Sequence, residues 1–159
     1  ICEGLVGSEM CIRDSMNNFN YERYMMGAQM LGMAKRCFEE CVQYSQDRKT
    51  FGKNLIEHQV IRHKLADMSA KIDAMDAYLN QVAMLMNEGE MPVAEISKIK
   101  FFCSECLESI ASEAMQIFGG AGYLRGNAVE RIYREVKVMA IGGGSKEIMK
   151  DLTAKQLGL

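Results

Sequence analysis

The sequence predicts an all-α fold, an antiparallel four-helix bundle. Three observations predict it. Apolar residues recur in alternating steps of three and four through three long segments. Fourteen methionines and few β-branched runs favour helix over sheet. Only one proline interrupts 159 residues. With 48% apolar and 25% charged residues, the chain can bury one real core.

The first helix is expected from about Tyr21 to Gln46, capped by Asn20. Its apolar stripe reads Tyr24, Ala28, Leu31, Ala34, Phe38, Cys41 and Val42. Gly52 and Asn54 break the pattern in the next segment. The second helix carries an a/d stripe of Ile61, Leu65, Met68, Ile72, Met75, Leu79, Val82 and Met86. Gly89 ends it, and Pro92 opens a third helix at its first position. That helix buries Ile96, Ile99, Cys103, Leu107, Ile110, Ala114 and Ile117, and closes at Phe118-Gly119-Gly120. Asn127 and Glu130 form a weak capping box for a short helix ending near Glu135. Ser145 caps a last helix, Lys146 to about Gln156, expected as the fourth wall.

Several function classes find no support. A net charge of −2 gives no reason to expect nucleic acid. No run of eighteen apolar residues suits a membrane span. The Glu-x-x-His pairs of a di-iron bundle are missing, as is a nucleophile elbow. Cys37 and Cys41 at i,i+4, with Cys103 and Cys106 at i,i+3, would suffice for zinc if they faced each other. The plainer reading is reduced, core-lining thiols, and no metal is expected.

Three loops suit anions. Gly142-Gly143-Gly144-Ser145 precedes a helix N-terminus, where free N–H groups attract phosphate. Gly119-Gly120-Ala121-Gly122 follows the third helix. Arg48-Lys49-Thr50-Phe51-Gly52-Lys53 sets basic residues around an aromatic, and arginine's planar fork suits a diphosphate. Each also reads as an ordinary turn or helix end.

Four motifs in order resemble the C-terminal domain of the flavin-dependent acyl-CoA dehydrogenases. They are DRKTFGK at 47–53, EHQ at 57–59, QIFGGAGY at 116–123 and GGSKEIM at 143–149. The resemblance runs from Phe19 to about Leu157. It implies dehydrogenation of acyl-CoA to trans-2-enoyl-CoA. FAD takes a hydride from the β-carbon, a carboxylate takes the α-proton, and electrons pass to an electron-transfer flavoprotein. It also implies a homo-oligomer, dimer or tetramer, in a mitochondrial matrix or cytoplasm.

Residue by residue, the resemblance places Arg48 on the FAD diphosphate of a neighbouring subunit. Phe51 and Gln59 match further FAD contacts, and Gln116, Ile117, Phe118, Gly119 and Gly120 match a backbone-rich FAD stretch. Ser145 and Glu147 match positions beside the adenosine half, with Ser145 in place of the commoner threonine. Asn20 and Arg23 match positions that contact or orient the CoA chain, and Gly144 lies on the substrate side.

Many members carry the catalytic glutamate where this chain has Gly143. In a subset that includes the long-chain and isovaleryl enzymes, the base sits on the first helix, just before the arginine matching Arg23. Here that residue is Glu22. Glu22 is therefore the expected base, its pKa raised by burial against substrate. The plainer alternative is a first-turn glutamate favoured by the helix dipole.

Residues 1–15 fit nothing downstream, and GSEMCIRDS resembles a translated adapter or assembly scar. The expected division is a foreign leader at 1–15 and the helical domain at 16–159. The family's N-terminal helical and middle β domains have no counterpart, so the chain is expected to be a piece of an enzyme, inactive alone. A different class of function, a non-catalytic helical module for oligomerisation or nucleotide binding, is the alternative.

Overall fold

The structure is a computed structural model that describes the backbone of residues 9–159 and side chains from residue 15 onward. Residues 1–8 of the expected leader lie outside the described residues. Six helices and one small hairpin make up the rest: α1 (Glu9–Asp47), β1 (Lys49–Thr50), β2 (Lys53–Asn54), α2 (Gln59–Asn87), α3 (Val93–Phe118), α4 (Gly120–Tyr123), α5 (Ala128–Ile141) and α6 (Lys146–Gln156). No described helix is long and apolar enough to cross a membrane.

The helices alternate in direction. Tyr24 donates to the Leu79 carbonyl and Lys35 pairs with Asp76, so α1 and α2 run antiparallel. Lys71 donates to Ser109 at 2.7 Å, and Tyr78 meets Phe102 edge to face, which turns α3 against α2. Lys146–Glu108 and Lys150–Glu105, both at 2.8 Å, set α6 antiparallel to α3. Helix α3 is central and packs on every other long helix. The expected all-α bundle is present. The fourth wall differs from expectation: α5 packs on both α1 and α3, whereas α6 lies on α3.

The 61–82 stripe of α2 is buried throughout, and Met86 is half-buried at its end. Helix α3 closes at Gly119, as its glycine pair predicts. Pro92 stands one position earlier than expected, as the N-cap, and its carbonyl accepts from Ile96.

Three expectations need correction. Helix α1 begins at Glu9, because nothing between there and Tyr21 breaks it; Asn20 lies inside the helix and caps nothing. The buried face of α1 is Asn20, Arg23, Gly27, Met30, Ala34, Cys37, Cys41 and Ser45; it shares Ala34 and Cys41 with the expected stripe, whose other members sit one position further on. Small and polar residues let α1 approach closely, so hydropathy alone pointed beside the true contact line. Helix α5 runs to Ile141, since Val136 and Ala140 continue its inner face past Glu135. Asn127 does cap it, accepting from the Glu130 N–H at 2.7 Å, but Glu130 turns to Arg134 and the reciprocal half of the box is not made.

Candidate functional site

The segment 48–54 is a tight hairpin with Lys49 opposite Asn54 and Thr50 opposite Lys53. Its two central residues, Phe51 and Gly52, have φ of 50° and 81°, the primed-turn geometry that matches strand twist. Phenylalanine is an uncommon occupant of that region. Its ring is 99% exposed, so no burial within the chain repays the strain. His58 lies 3.1 Å from the Thr50 hydroxyl and ties the hairpin to the start of α2. Arg48 and Gln59 are exposed beside it.

The end of α3 lies at the same pole. Tyr44 of α1 stacks on Phe118 at 4.2 Å and donates to its carbonyl. Gln116, Gly119 and Gly120 are exposed, while Ile117 and Phe118 are buried. A side chain built at Gly119 or Gly120 would meet nothing within 4 Å.

The other predicted residues gather at the opposite pole. Arg23 of α1 donates Nε to the Gly143 carbonyl at 2.9 Å and Nη1 to Asn20 Oδ1 at 3.0 Å. Both residues are buried. Glu22, one residue before Arg23, is exposed and lines a shallow hollow of about 230 Å³ with Ser15, Asn18 and Phe19.

The glycine run is a turn with a demanding backbone. Gly143 and Gly144 have φ of 69° and 118°, which side-chain-bearing residues rarely adopt. A Cβ on Gly143 would lie 2.9 Å from the Met26 sulfur, and one on Gly144 would lie 2.6 Å from the Met149 methyl. Ser145 caps α6 by accepting from the Ile148 N–H. Glu147 is exposed in the first turn, where its own N–H and the Ser145 hydroxyl hold its carboxyl below the usual range.

Sequence reasoning missed Lys100. It sits in the middle of α3, fully buried, and donates to the carbonyls of Ala140, at 3.0 Å, and of Gly144. Burial and the nearby Arg23 charge draw its pKa down to about 8. The signal was available: Lys100 is four residues from Ile96 and three from Cys103, on the buried stripe, where a lysine needs a reason.

From Arg23 to Arg48 along α1 is about 37 Å at 1.5 Å per residue. The predicted residues therefore form two clusters at opposite poles and do not line one pocket of a single chain. A hollow of about 800 Å³ belongs to neither; Arg36, Arg125, Arg131 and Arg134 line it, with Glu40 and Glu130 paired to two of them. The helical cysteines are core: Cys37, Cys41 and Cys103 are fully buried, and burial pushes their thiols up to about 12. No group of three or more His, Cys, Asp or Glu among the described residues is placed to hold a metal ion.

Comparison with known proteins agrees with this architecture. The family described as "Acyl-CoA dehydrogenase, C-terminal domain" matches residues 12–158. Cyclohexane-1-carbonyl-CoA dehydrogenase of Geobacter metallireducens is 35% identical over 143 residues, 90% of this chain and 38% of its own length. The caffeyl-CoA reductase-Etf complex subunit CarC of Acetobacterium woodii is 32% identical over 86% of this chain and 36% of its own. A crystal structure of a probable acyl-CoA dehydrogenase from Mycobacterium abscessus superposes with a TM-score of 0.87 at 38% identity, over 90% of this chain and 38% of that one. The chain thus spans little more than a third of the length of these relatives. It belongs to the acyl-CoA dehydrogenase family, whose C-terminal helical domain it matches from end to end of the bundle.

Proposed function

We propose that this chain is the C-terminal part of an FAD-dependent acyl-CoA dehydrogenase in which Glu22 is the base. One observation carries the assignment. Arg23, the neighbour of Glu22, touches the loop at Gly143. The helix turn that carries Glu22 and the loop that carries position 143 are therefore in contact. Position 143 is a glycine in a left-handed backbone, where a Cβ would press on the Met26 sulfur, and position 22 is a glutamate at the surface.

The donor set at the hairpin pole fits FAD. Arg48, Gln59 and Gln116 are exposed, and a guanidinium with two carboxamides suits a diphosphate. The open backbone at Gly119 and Gly120 leaves space for a phosphate or ribose to approach. Bound FAD supplies the two-electron acceptor for the β-hydride. Ser145 and Glu147, at the far pole, are proposed to meet the adenosine half of a second FAD. The distance between the poles supports a homo-oligomer, in which each flavin is held by two chains.

In this reading Glu22 removes the α-proton of the thioester. Arg23 and Asn20 are buried, so they orient the helix that presents Glu22 and the loop that faces the CoA chain. Substrate covers the exposed carboxylate and excludes water from it. Electron transfer to an electron-transfer flavoprotein is proposed by likeness to the Acetobacterium relative, named as part of an Etf complex. The test is flavin bleaching: the full-length protein loaded with FAD should lose flavin absorbance on mixing with acyl-CoA. A protein that binds FAD but never bleaches with any acyl-CoA would instead support a non-catalytic helical module.

A further inference from the structure

Resting on the reading of Glu22 as the base, we propose that Lys100 is a positioning residue that ties the 142–145 loop to α3, where Arg23 of α1 also meets it. The side chain has no carboxylate partner among the described residues. Its ammonium instead reaches two carbonyls on either side of the loop, Ala140 in the last turn of α5 and Gly144 just before the α6 cap. Arg23 of α1 takes the carbonyl between them, Gly143.

The turn's backbone accounting is consistent with a clamp. The Val138 carbonyl accepts from Gly142 and the Ile141 carbonyl from Gly144, both within the turn. The Ser145 carbonyl accepts from Met149 of α6. The carbonyls of Ala140, Gly143 and Gly144 are each taken by a cation from another helix. Carbonyls at a helix C-terminus carry partial negative charge, which is why ammonium and guanidinium serve better there than neutral donors.

Burying a lysine without a counter-ion is costly. A methionine of similar length would fill the same space in α3 at less expense. The fold therefore has no packing need for a charge at position 100. What the charge does is fix two carbonyls, those of Ala140 and Gly144, in the turn whose third carbonyl, Gly143, is held by Arg23 of the helix carrying Glu22. Loss of Lys100 should release the loop, whose carbonyls can then turn to water, while the bundle stays folded.

The experiment compares Lys100→Met and Lys100→Gln with the wild type in the full-length, FAD-loaded enzyme. Amide hydrogen exchange is read at residues 141–146 and, as an internal control, in α2. Stopped-flow flavin reduction by acyl-CoA is read alongside. The expected result for Lys100→Met is faster exchange by about tenfold or more at 141–146 with α2 unchanged. Flavin reduction should slow by roughly 10²-fold, as for a misplaced reacting group, with little change in KM. Lys100→Gln, which keeps two N–H donors, should fall between. Unchanged exchange at 141–146 overturns the clamp whatever the role of Glu22. Faster exchange with unaltered flavin reduction overturns the positioning role. Failure of both variants to fold makes Lys100 a residue of the fold and overturns the proposal too. Failure of the Glu22 reading would appear separately, as a Glu22→Gln enzyme of normal rate with the exchange result intact.

Discussion

Arg23 donates its Nε to the carbonyl of Gly143, 120 residues away in sequence, at 2.9 Å. The contact joins the first long helix to the turn between the last two. Its partner in the same role, Lys100, reaches the same turn from the central helix. A run of three glycines that reads as a phosphate cradle is instead held by cations on its carbonyl side. The N–H groups that remain free belong to the start of α6, which Ser145 caps.

The closest packing between α1 and α2 gives a stability prediction. Leu79 is 4% exposed, and a Cβ on Gly27 would lie 3.2 Å from its Cδ2. Leu79→Ala should cost roughly 2–5 kcal/mol. Gly27→Ala should gain little in the wild type, because the crowding offsets the helix-propensity benefit of about 1 kcal/mol. In the Leu79→Ala background that benefit should appear. Denaturant melts of the two single variants and the double variant measure the coupling; strict additivity would contradict the contact.

Buried thiols and a buried ammonium act oppositely on stability at alkaline pH. Cys37, Cys41 and Cys103 titrate near 12 in the fold against an ordinary 9.0. Between those values the unfolded chain has released protons that the folded chain keeps, so stability falls as pH rises. Lys100 titrates near 8 against 10.5, so between those values the unfolded chain holds a proton that the folded chain has lost, and stability rises with pH. Three thiols outweigh one ammonium above pH 9. Unfolding midpoints taken from pH 8 to 10.5 should decline above 9, with a slope of up to about 1.4 kcal/mol per pH unit per thiol. Cys103→Ala should flatten the decline, and an unchanged slope would contradict the assignment.

At the hairpin pole, Arg48→Ala in the full-length enzyme should weaken FAD retention by about 1.5–3 kcal/mol, the range for a hydrogen bond to a charged group. The salt dependence of retention should drop with it, since the lost contact is ionic. Equilibrium dialysis at two ionic strengths checks both. Unchanged affinity would remove Arg48 from the site.

Much of this was legible in the chain. The α2 stripe from Ile61 to Val82 was plain because large apolar residues alone make that contact line. The α1 line was read one position off at Tyr24, Ala28, Leu31 and Phe38, though not at Ala34 or Cys41, because Gly27, Cys37 and Ser45 carry little hydropathic signal, yet they are what allows close approach. Asn20 looked like a cap because asparagine usually is one; only the structure supplies Arg23 as its partner. The hairpin stayed hidden because Phe51-Gly52 lacks the Asn-Gly or Asp-Gly signature of its turn type. Lys100 was hidden for a different reason. Its ligands are backbone carbonyls some forty residues downstream, and carbonyls have no letter in a sequence.

The central claim is that Glu22 takes the α-proton, and its substitution by glutamine tests it most directly. In the full-length, FAD-loaded enzyme, Glu22→Gln should slow flavin reduction by acyl-CoA by the ~10²–10⁴-fold typical of a lost general base. FAD and acyl-CoA should still bind, because the change removes a charge and little volume. Adding Gly143→Glu should return only part of the rate. A side chain there meets left-handed strain of about 1–2 kcal/mol, and it must displace the Met26 sulfur. Flavin reduction at the wild-type rate in Glu22→Gln would contradict the account and send the search for the base to another residue.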